Sequence, residues 1–436
     1  MKLNNFFEID YALLFSALLL TVFGVLFIYS SSVTSFGISV SNEYIRQIVW
    51  GSVGLVAALT IAMLNYRRIY YASSYFYLGA LVLLIYTCIF GRVVNGARAW
   101  LGIGSFGIQV SEFAKLTTII FLARFLDSTK NSRSDAWRFI VSCMIVFAPM
   151  MIILLQPDFG TSLVFIAILL SMIFIAGISS RYIIFLITTI ALTGLLLALP
   201  LWQVHVLGKT IPILSILSNK YFILIAVGAV TIIFFIALFG FRRYKKTYFY
   251  WIGYGALILI MSLAVSYAGQ KVLKPYQIMR LIVFLDPNID PRGSGWNIIQ
   301  SITAIGSGGI TGKGYLQGTQ SHYRFLPQQS TDFIFSIFSE EWGFLGGIIV
   351  FTLFLLISMR LIKIMKTTTD PFGCYIVAGI AGMYIFHFIV NVGMTMGIMP
   401  ITGIPLLFMS YGGSALITAM TGIGLALSVH IRRFQY

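Results

Sequence analysis

Charge is what this sequence has least of. Only 10% of its 436 residues are charged and only 13 are acidic, where soluble domains carry about 25% charged residues. That excludes an ordinary soluble globule. Cysteine is nearly absent as well. Cys88, Cys143 and Cys374 each sit inside an apolar run with no partner at metal-ligand spacing, which excludes a disulfide framework or a zinc module and leaves packing thiols. No cleavable leader is visible, because MKLNNFFEID is mixed and the first apolar run is long enough to span; the first helix is expected to serve as an uncleaved signal. There is no internal repeat and no stretch that reads as a soluble domain.

What is present is hydrocarbon. The chain is 59% hydrophobic with a mean hydropathy of +0.94, and it holds many windows of about 20 apolar residues, the length that crosses a bilayer. These runs are continuously apolar, which excludes a β-barrel, whose strands alternate. The expected fold is therefore an all-α polytopic membrane protein forming one domain over residues 1–436. Twelve spans are predicted, roughly 11–31, 46–65, 69–90, 111–126, 138–155, 159–177, 182–201, 219–240, 248–268, 333–358, 372–395 and 411–431.

With both termini in the cytoplasm, every inner connection is basic, from Arg67 and Arg68 through Arg242, Arg243, Lys245 and Lys246 to Arg432 and Arg433, as the positive-inside rule requires. The net charge of +16 thus reads as orientation signals at helix ends rather than as a nucleic-acid surface. Segments 32–45, 91–110, 156–158, 202–218, 269–332 and 396–410 fall outside. Two of them also carry bases, Arg92 and Arg98 in one, and Lys271, Lys274, Arg280, Arg292, Lys313 and Arg324 in the other. These are either tolerated surface charge or a basic outer face for an anionic ligand such as phosphate.

The polar residues concentrate between Asp286 and Glu341, with seven glycines between Gly293 and Gly314. Irregular backbone of this kind cannot face lipid, where unpaired N–H and C=O groups find no water. A connection as long as 269–332 is expected to be functional and to contain elements of its own; 274–285 and 296–305 read as interfacial helices. Glycines 306–314 could offer backbone N–H groups to phosphate oxygens. Asp290, set among Pro287, Pro291 and Gly293, is by spacing alone equally an ordinary turn aspartate.

Ionisable groups inside spans are costly and become functional candidates by default. Glu112 and Lys115 lie three apart and can pair on one helix face, either as a structural ion pair or, with Arg98, as the lining of an outward cavity. Asp332, Ser336, Ser339 and Glu340, continued by Gly343 and Gly347, fall at helical spacing. His387, Asn391 and Thr395 make a second stripe, and Pro400 and Pro405 predict an unwound turn after it. Glu8, Asp10, Glu43, Asp127, Asp135 and Asp370 read as helix-end caps or solvated acids.

Taken together, NGARAWL (95–101), QVSEFAK (109–115), QPDFGTS (156–162), DPRGSGW (290–296), GKGYLQGTQS (312–321), FLPQQSTDFIF (325–335), EEWGF (340–344) and GIMPITGIPLLFMSYGGS (397–414) resemble the SEDS family (shape, elongation, division and sporulation) over nearly the whole chain. The resemblance implies a peptidoglycan glycosyltransferase of the bacterial inner membrane. Such an enzyme polymerises the lipid-linked precursor lipid II into glycan strands on the outer face and works with a class B penicillin-binding protein. It also implies that Asp290 matches the family's loop aspartate, proposed as the base, and that Glu112 and Lys115 match its important acid–base pair. The GTQS segment favours the elongation branch over the division branch. Val110, Gln328 and Ser330 stand where the family usually has Pro, Glu and His. The family core has ten spans, so 219–240 and 248–268 are an extra pair within 202–268.

On this reading Asp290 deprotonates the acceptor hydroxyl. Cations among Arg98, Lys115, Lys313 and Arg324 meet the departing pyrophosphate, Asp332 and Glu340 support the site, and one carboxylate implies inversion. A divalent cation could assist, although no ligand cluster predicts one. The rival classes are a flippase for the lipid-linked precursor, which broken helices would suit, and a non-catalytic scaffold.

Overall fold

The structure, a computed structural model, describes residues 9–94, 97–103, 106–203, 219–272 and 275–435. Glu8, most of the 202–218 connection and Lys274 lie outside the described residues. The chain divides into two compact units, Met1–Ile178 with Gln300–Tyr436, and Ser179–Ile299.

In the first unit the order is α1 (Tyr11–Ser32), α2 (Glu43–Met63), α3 (Arg67–Phe90), strands β1 (Arg92–Val94), β2 (Ala97–Ile103) and β3 (Phe106–Gln109), then α4 (Val110–Ser128), α5 (Asp135–Leu155) and α6 (Phe159–Ile175). The second unit holds α7 (Ser180–Trp202), α8 (Lys220–Tyr244), α9 (Thr247–Val272), α10 (Pro275–Leu285) and a short 3-10 turn, Pro287–Ile289. Helix α11 (Ser294–Gly308) follows, and the chain closes with α12 (Thr319–His322), α13 (Ile334–Thr367), α14 (Pro371–Thr395) and α15 (Gly413–Ile431).

Each of the twelve expected segments is helical. Ten helices among the described residues are long and apolar enough to cross a membrane. The other two fall short for visible reasons: α4 carries Glu112, Lys115, Arg124 and Asp127, and α6 has only 17 residues. The core of the first unit lies around α14 and α15, whose apolar windows are 67% and 78% buried. Helix α15 packs along α2, and α14 packs against α4, α6 and α13. In the second unit α9 packs between α7 and α8, and α10 rests on α7.

One expectation needs correction, and one connection holds structure that the sequence did not show. The 91–110 segment is a three-stranded antiparallel sheet in the order β1-β2-β3, with Trp100 opposite Gln109. Three- to seven-residue strands broken by glycine leave too little alternation to read from sequence. The small-residue stripe beginning at Asp332 is not one continuous helical face. Asp332 precedes the helix, and Gly343 interrupts it with φ 64° and ψ −159°, a conformation that L side chains avoid.

The short connection from α13 to α14 is held by a buried carboxylate. Asp370 caps α14, accepting from Gly373 N at 3.3 Å, and also takes Arg67 Nη2 at 2.6 Å and the Tyr66 hydroxyl at 2.7 Å. It thereby ties the start of α3 to the start of α14, with Pro371 pre-set for the first helical turn. Asp370→Ala removes a cap and two partners at once. It is expected to destabilise the protein by about 1–3 kcal/mol, seen as a lower thermal midpoint of the detergent-purified chain.

Candidate functional site

The polar groups of the first unit form two clusters, both built by breaks in helices. The first surrounds the interruption at Gly343. A helix that breaks exposes backbone donors and acceptors, and the glycine-rich segment supplies the missing partners. Phe344 N and Leu345 N donate to Gly309 O at 2.9 Å and Ile310 O at 3.1 Å, while Lys313 N and Gly314 N donate to Glu340 O at 3.1 Å and Glu341 O at 2.9 Å. Backbone must approach backbone here: a Cβ at Gly312, whose φ is 81°, would overlap Glu341 O. The N–H groups of Gly312, Lys313 and Gly314 are therefore committed within the protein and are not the phosphate cradle that their composition suggested.

The two acids at this break point back into the same segment. Glu340 is fully buried. Its Oε1 accepts from Lys313 Nζ at 2.7 Å, Thr319 N and Oγ1 at 2.9 Å, and Gln320 N at 3.1 Å. Glu341 accepts from Leu316 N at 3.1 Å through Oε2 and from the Ser30 hydroxyl of α1 through Oε1, with His322 Nε2 at 3.9 Å. Tyr315 closes the edge by donating to Leu26 O at 3.0 Å. Its phenol is pushed up to about 12 by partial burial and then by the Glu341 charge, so it remains a donor throughout the physiological range.

The second cluster joins α4 to α14. Lys115 Nζ donates to Glu112 Oε1 at 2.7 Å and to His387 Nε2 at 3.1 Å, and all three residues are buried. An ammonium has only donors, so His387 accepts at Nε2 and its Nδ1–H donates to Pro405 O at 3.0 Å. One turn further along, Asn391 Nδ2 donates to Asp332 O at 2.9 Å and Ile404 O at 2.8 Å. Residues 396–412 are irregular, as Pro400 and Pro405 predict, and α14 supplies donors to two of their carbonyls, Pro405 O and Ile404 O.

The remaining candidates stand apart from these clusters. Arg98 is exposed on β2 and donates to Ile89 O at 3.3 Å; it is not bonded to Glu112 or Lys115. Arg324 is exposed, with φ 57°, and its guanidinium has no bonded partner among the described residues. Asp158 caps α6 through Thr161 N at 3.1 Å and receives Gln109 Nε2 at 2.8 Å. Asp290 belongs to the second unit, where it ends the 3-10 turn half-buried. Its carbonyl accepts from Gly293 N at 3.3 Å and Gly295 N at 2.9 Å, and its carboxylate lies where a Cβ on Gly293 would be, 2.6 Å from Oδ1. Glycine at 293 is thus required for the carboxylate to sit as it does.

Sequence reasoning missed His387 as the partner of Lys115 and Glu341 as a loop anchor. Only their polarity inside apolar runs signalled them. An apolar cavity of about 750 Å³ lies between the end of α11, α13 and α14, lined by Ile305, Phe335, Gly343, Phe351 and Phe388 among others. Among the described residues, no three His, Cys, Asp or Glu side chains converge as metal ligands.

Comparison with known proteins places this helical bundle, with its glycine-rich segment laced to a broken helix, in a family. The sequence model of the cell cycle proteins FtsW, RodA and SpoVE matches residues 11–210 and 210–435. The chain belongs to this family. It is 48% identical over 433 residues to the peptidoglycan glycosyltransferase RodA of Treponema pallidum (strain Nichols), covering 99% of this chain and 100% of that one. Stage V sporulation protein E of Bacillus subtilis (strain 168) is 32% identical, with 96% of each chain covered. The peptidoglycan glycosyltransferase MrdB of Escherichia coli (strain K12) is 31% identical, over 98% of this chain and 94% of that one. Among solved structures, a chain of a peptidoglycan synthase complex superposes with a TM-score of 0.68 at 26% identity, covering 98% of this chain and 99% of that one. The rod shape determining protein RodA of Thermus thermophilus, at a TM-score of 0.61 and 24% identity over 98% of each chain, shares the fold.

Two consequences can be measured. Lys115→Met leaves Glu112 buried without its one bonded partner and is expected to cost about 3–5 kcal/mol; adding Glu112→Gln should recover part of that loss. Glu340→Gln removes the ion pair with Lys313. Amide exchange at Thr319 and Gln320 is expected to rise about tenfold or more, while exchange in α2 and α15 stays unchanged.

Proposed function

We propose that this chain is an elongation-type peptidoglycan glycosyltransferase of the bacterial inner membrane that polymerises lipid II into glycan strands on the outer face. The observation that carries this reading is the end-to-end match, 48% identical over 433 residues, to a relative with that activity. A class B penicillin-binding protein is the proposed partner for crosslinking, supported by the likeness to a chain of a peptidoglycan synthase complex.

Chemically, the acceptor sugar hydroxyl attacks the anomeric carbon of the lipid-linked donor. Asp290 takes the hydroxyl proton, the new glycosidic C–O bond forms, and the bond to the pyrophosphate breaks with its electron pair leaving on oxygen. A single carboxylate acting as base gives inversion. Lys115 and Lys313 are already bonded to Glu112 and Glu340, so they are assigned to holding the fold of the first unit. Arg98 and Arg324, both exposed, are the cations available to stabilise a departing pyrophosphate. Asp332, Glu112 and Glu340 are assigned supporting roles. A divalent cation at the site would supply further neutralisation of the departing pyrophosphate charge; among the described residues no three His, Cys, Asp or Glu side chains converge to hold one.

The test uses purified protein, with and without its penicillin-binding partner, supplied with lipid II in detergent. Wild type is expected to make long glycan strands and Asp290→Asn none. Gly293→Ala keeps the carboxylate but displaces it, and should lower the rate about a hundredfold, the cost of misplacing a reacting group by about 1 Å. Equal polymerisation by Asp290→Asn would remove Asp290 from this role. Movement of precursor across vesicles without polymer would favour a flippase.

A further inference from the structure

The hairpin of α8 and α9 has no part in the glycosyl transfer described above, and it is built unlike the rest of the chain. Its helices have 25 and 26 residues, about 37 and 39 Å at 1.5 Å per residue, against a hydrocarbon layer of about 30 Å. Each helix is therefore long enough to span with some tilt, which puts the turn joining them at one membrane surface.

That turn carries Arg242, Arg243, Lys245 and Lys246, all exposed, and among the described residues none of the four side chains has a hydrogen-bond or ion-pair partner. No acid could pair with them locally, because residues 159–285 contain neither Asp nor Glu. Arg181, at the start of α7, joins the group: its guanidinium lies 5.7 Å from the Tyr250 ring, and its carbonyl accepts from the Tyr254 hydroxyl at 2.7 Å.

Aromatic packing holds the turn in place. A Cβ on Gly240 would run into the Phe249 ring at 2.5 Å, so α8 and α9 touch closely just below the turn. Tyr244 stacks on Phe249 at 6.1 Å, and Phe241 meets Tyr250 at 6.0 Å. Lys245 ends α8 in the left-handed conformation at φ 50° and sends the chain directly into α9. Rings of this kind favour the membrane–water interface. Below them the outer side of α8 is apolar and bare within the chain, with Ile225, Ile232, Phe235 and Phe239 all more than half exposed.

We propose that this hairpin is a binding site for anionic phospholipid headgroups. Phosphodiester oxygens would be held by the two guanidinium and two ammonium groups of the turn with Arg181 beside them, and the acyl chains would lie along α8. Cation clusters of this size next to a spanning helix attract anionic lipid, and guanidinium binds phosphate through paired N–H groups. Charge complementarity selects this occupant, since five cations face a surface to which the surrounding 127-residue stretch, 159–285, contributes no negative charge.

The test is native mass spectrometry of the full-length chain taken from micelles holding equal amounts of phosphatidylglycerol and phosphatidylcholine. Wild type is expected to retain phosphatidylglycerol in preference. R242Q/R243Q/K245Q/K246Q should lose that preference by about fivefold or more, the worth of at least one such charge. K245Q/K246Q, which keeps two arginines to hold the orientation of the hairpin, should fall between, and R242K/R243K, which keeps the charge and loses the paired N–H groups, should keep a preference above that of the fourfold variant. K363Q/K366Q, which neutralises two cations of another connection, should change nothing. No preference in wild type, an equal preference in the fourfold variant, or loss of the lipid on adding inorganic phosphate alone would each overturn the proposal.

Discussion

The break in α13 at Gly343 is the constraint on which the first unit depends. A helix interrupted in its interior leaves backbone donors and acceptors without partners in the helix. Here the donors of Phe344 and Leu345 and the carbonyls of Glu340 and Glu341 are all met by the segment from Gly309 to Gly314. The glycines follow from that approach, because side chains would separate the two backbones. The carboxylates of Glu340 and Glu341 then hold the next turn of the same segment, from Leu316 to His322. One interruption thus fixes the path of the chain's most polar stretch.

The same logic recurs at the other break. Between α14 and α15 the chain is irregular, and His387, Asn391 and Gln47 supply donors to Pro405, Ile404 and Ser410. Lys115 connects this arrangement to α4 through Glu112 and His387. Buried ion pairs seldom add stability over an apolar core, so the value of this one lies in setting α4 and α14 in register. The buried acids of the first unit thus carry structural tasks: Glu112, Glu340 and Asp370 each hold a cation, and Glu341 holds Leu316.

Much of this was legible in the sequence. The helices were, because runs of about 20 apolar residues have few other solutions, and the unwound turn was, because proline removes a donor. The Glu112–Lys115 pair was readable from helical spacing. The sheet at 92–109 was not, since its strands are short and glycine-rich. Nor was the task of the glycines at 306–314: composition shows that a backbone is approached closely and leaves open whether by phosphate or by another segment of the chain. His387 and Glu341 were hidden because their partners are distant in sequence. Asp290 gained its role from family resemblance, and the structure adds the reason Gly293 must accompany it.

The account assigns the chemistry to one carboxylate and the other acids to architecture. The most direct measurement of that claim is the anomeric configuration of the linkage formed, read by NMR of the polymer against that of the donor. A single base predicts inversion at every linkage. Retention would require a second carboxylate acting as nucleophile, and would contradict the account.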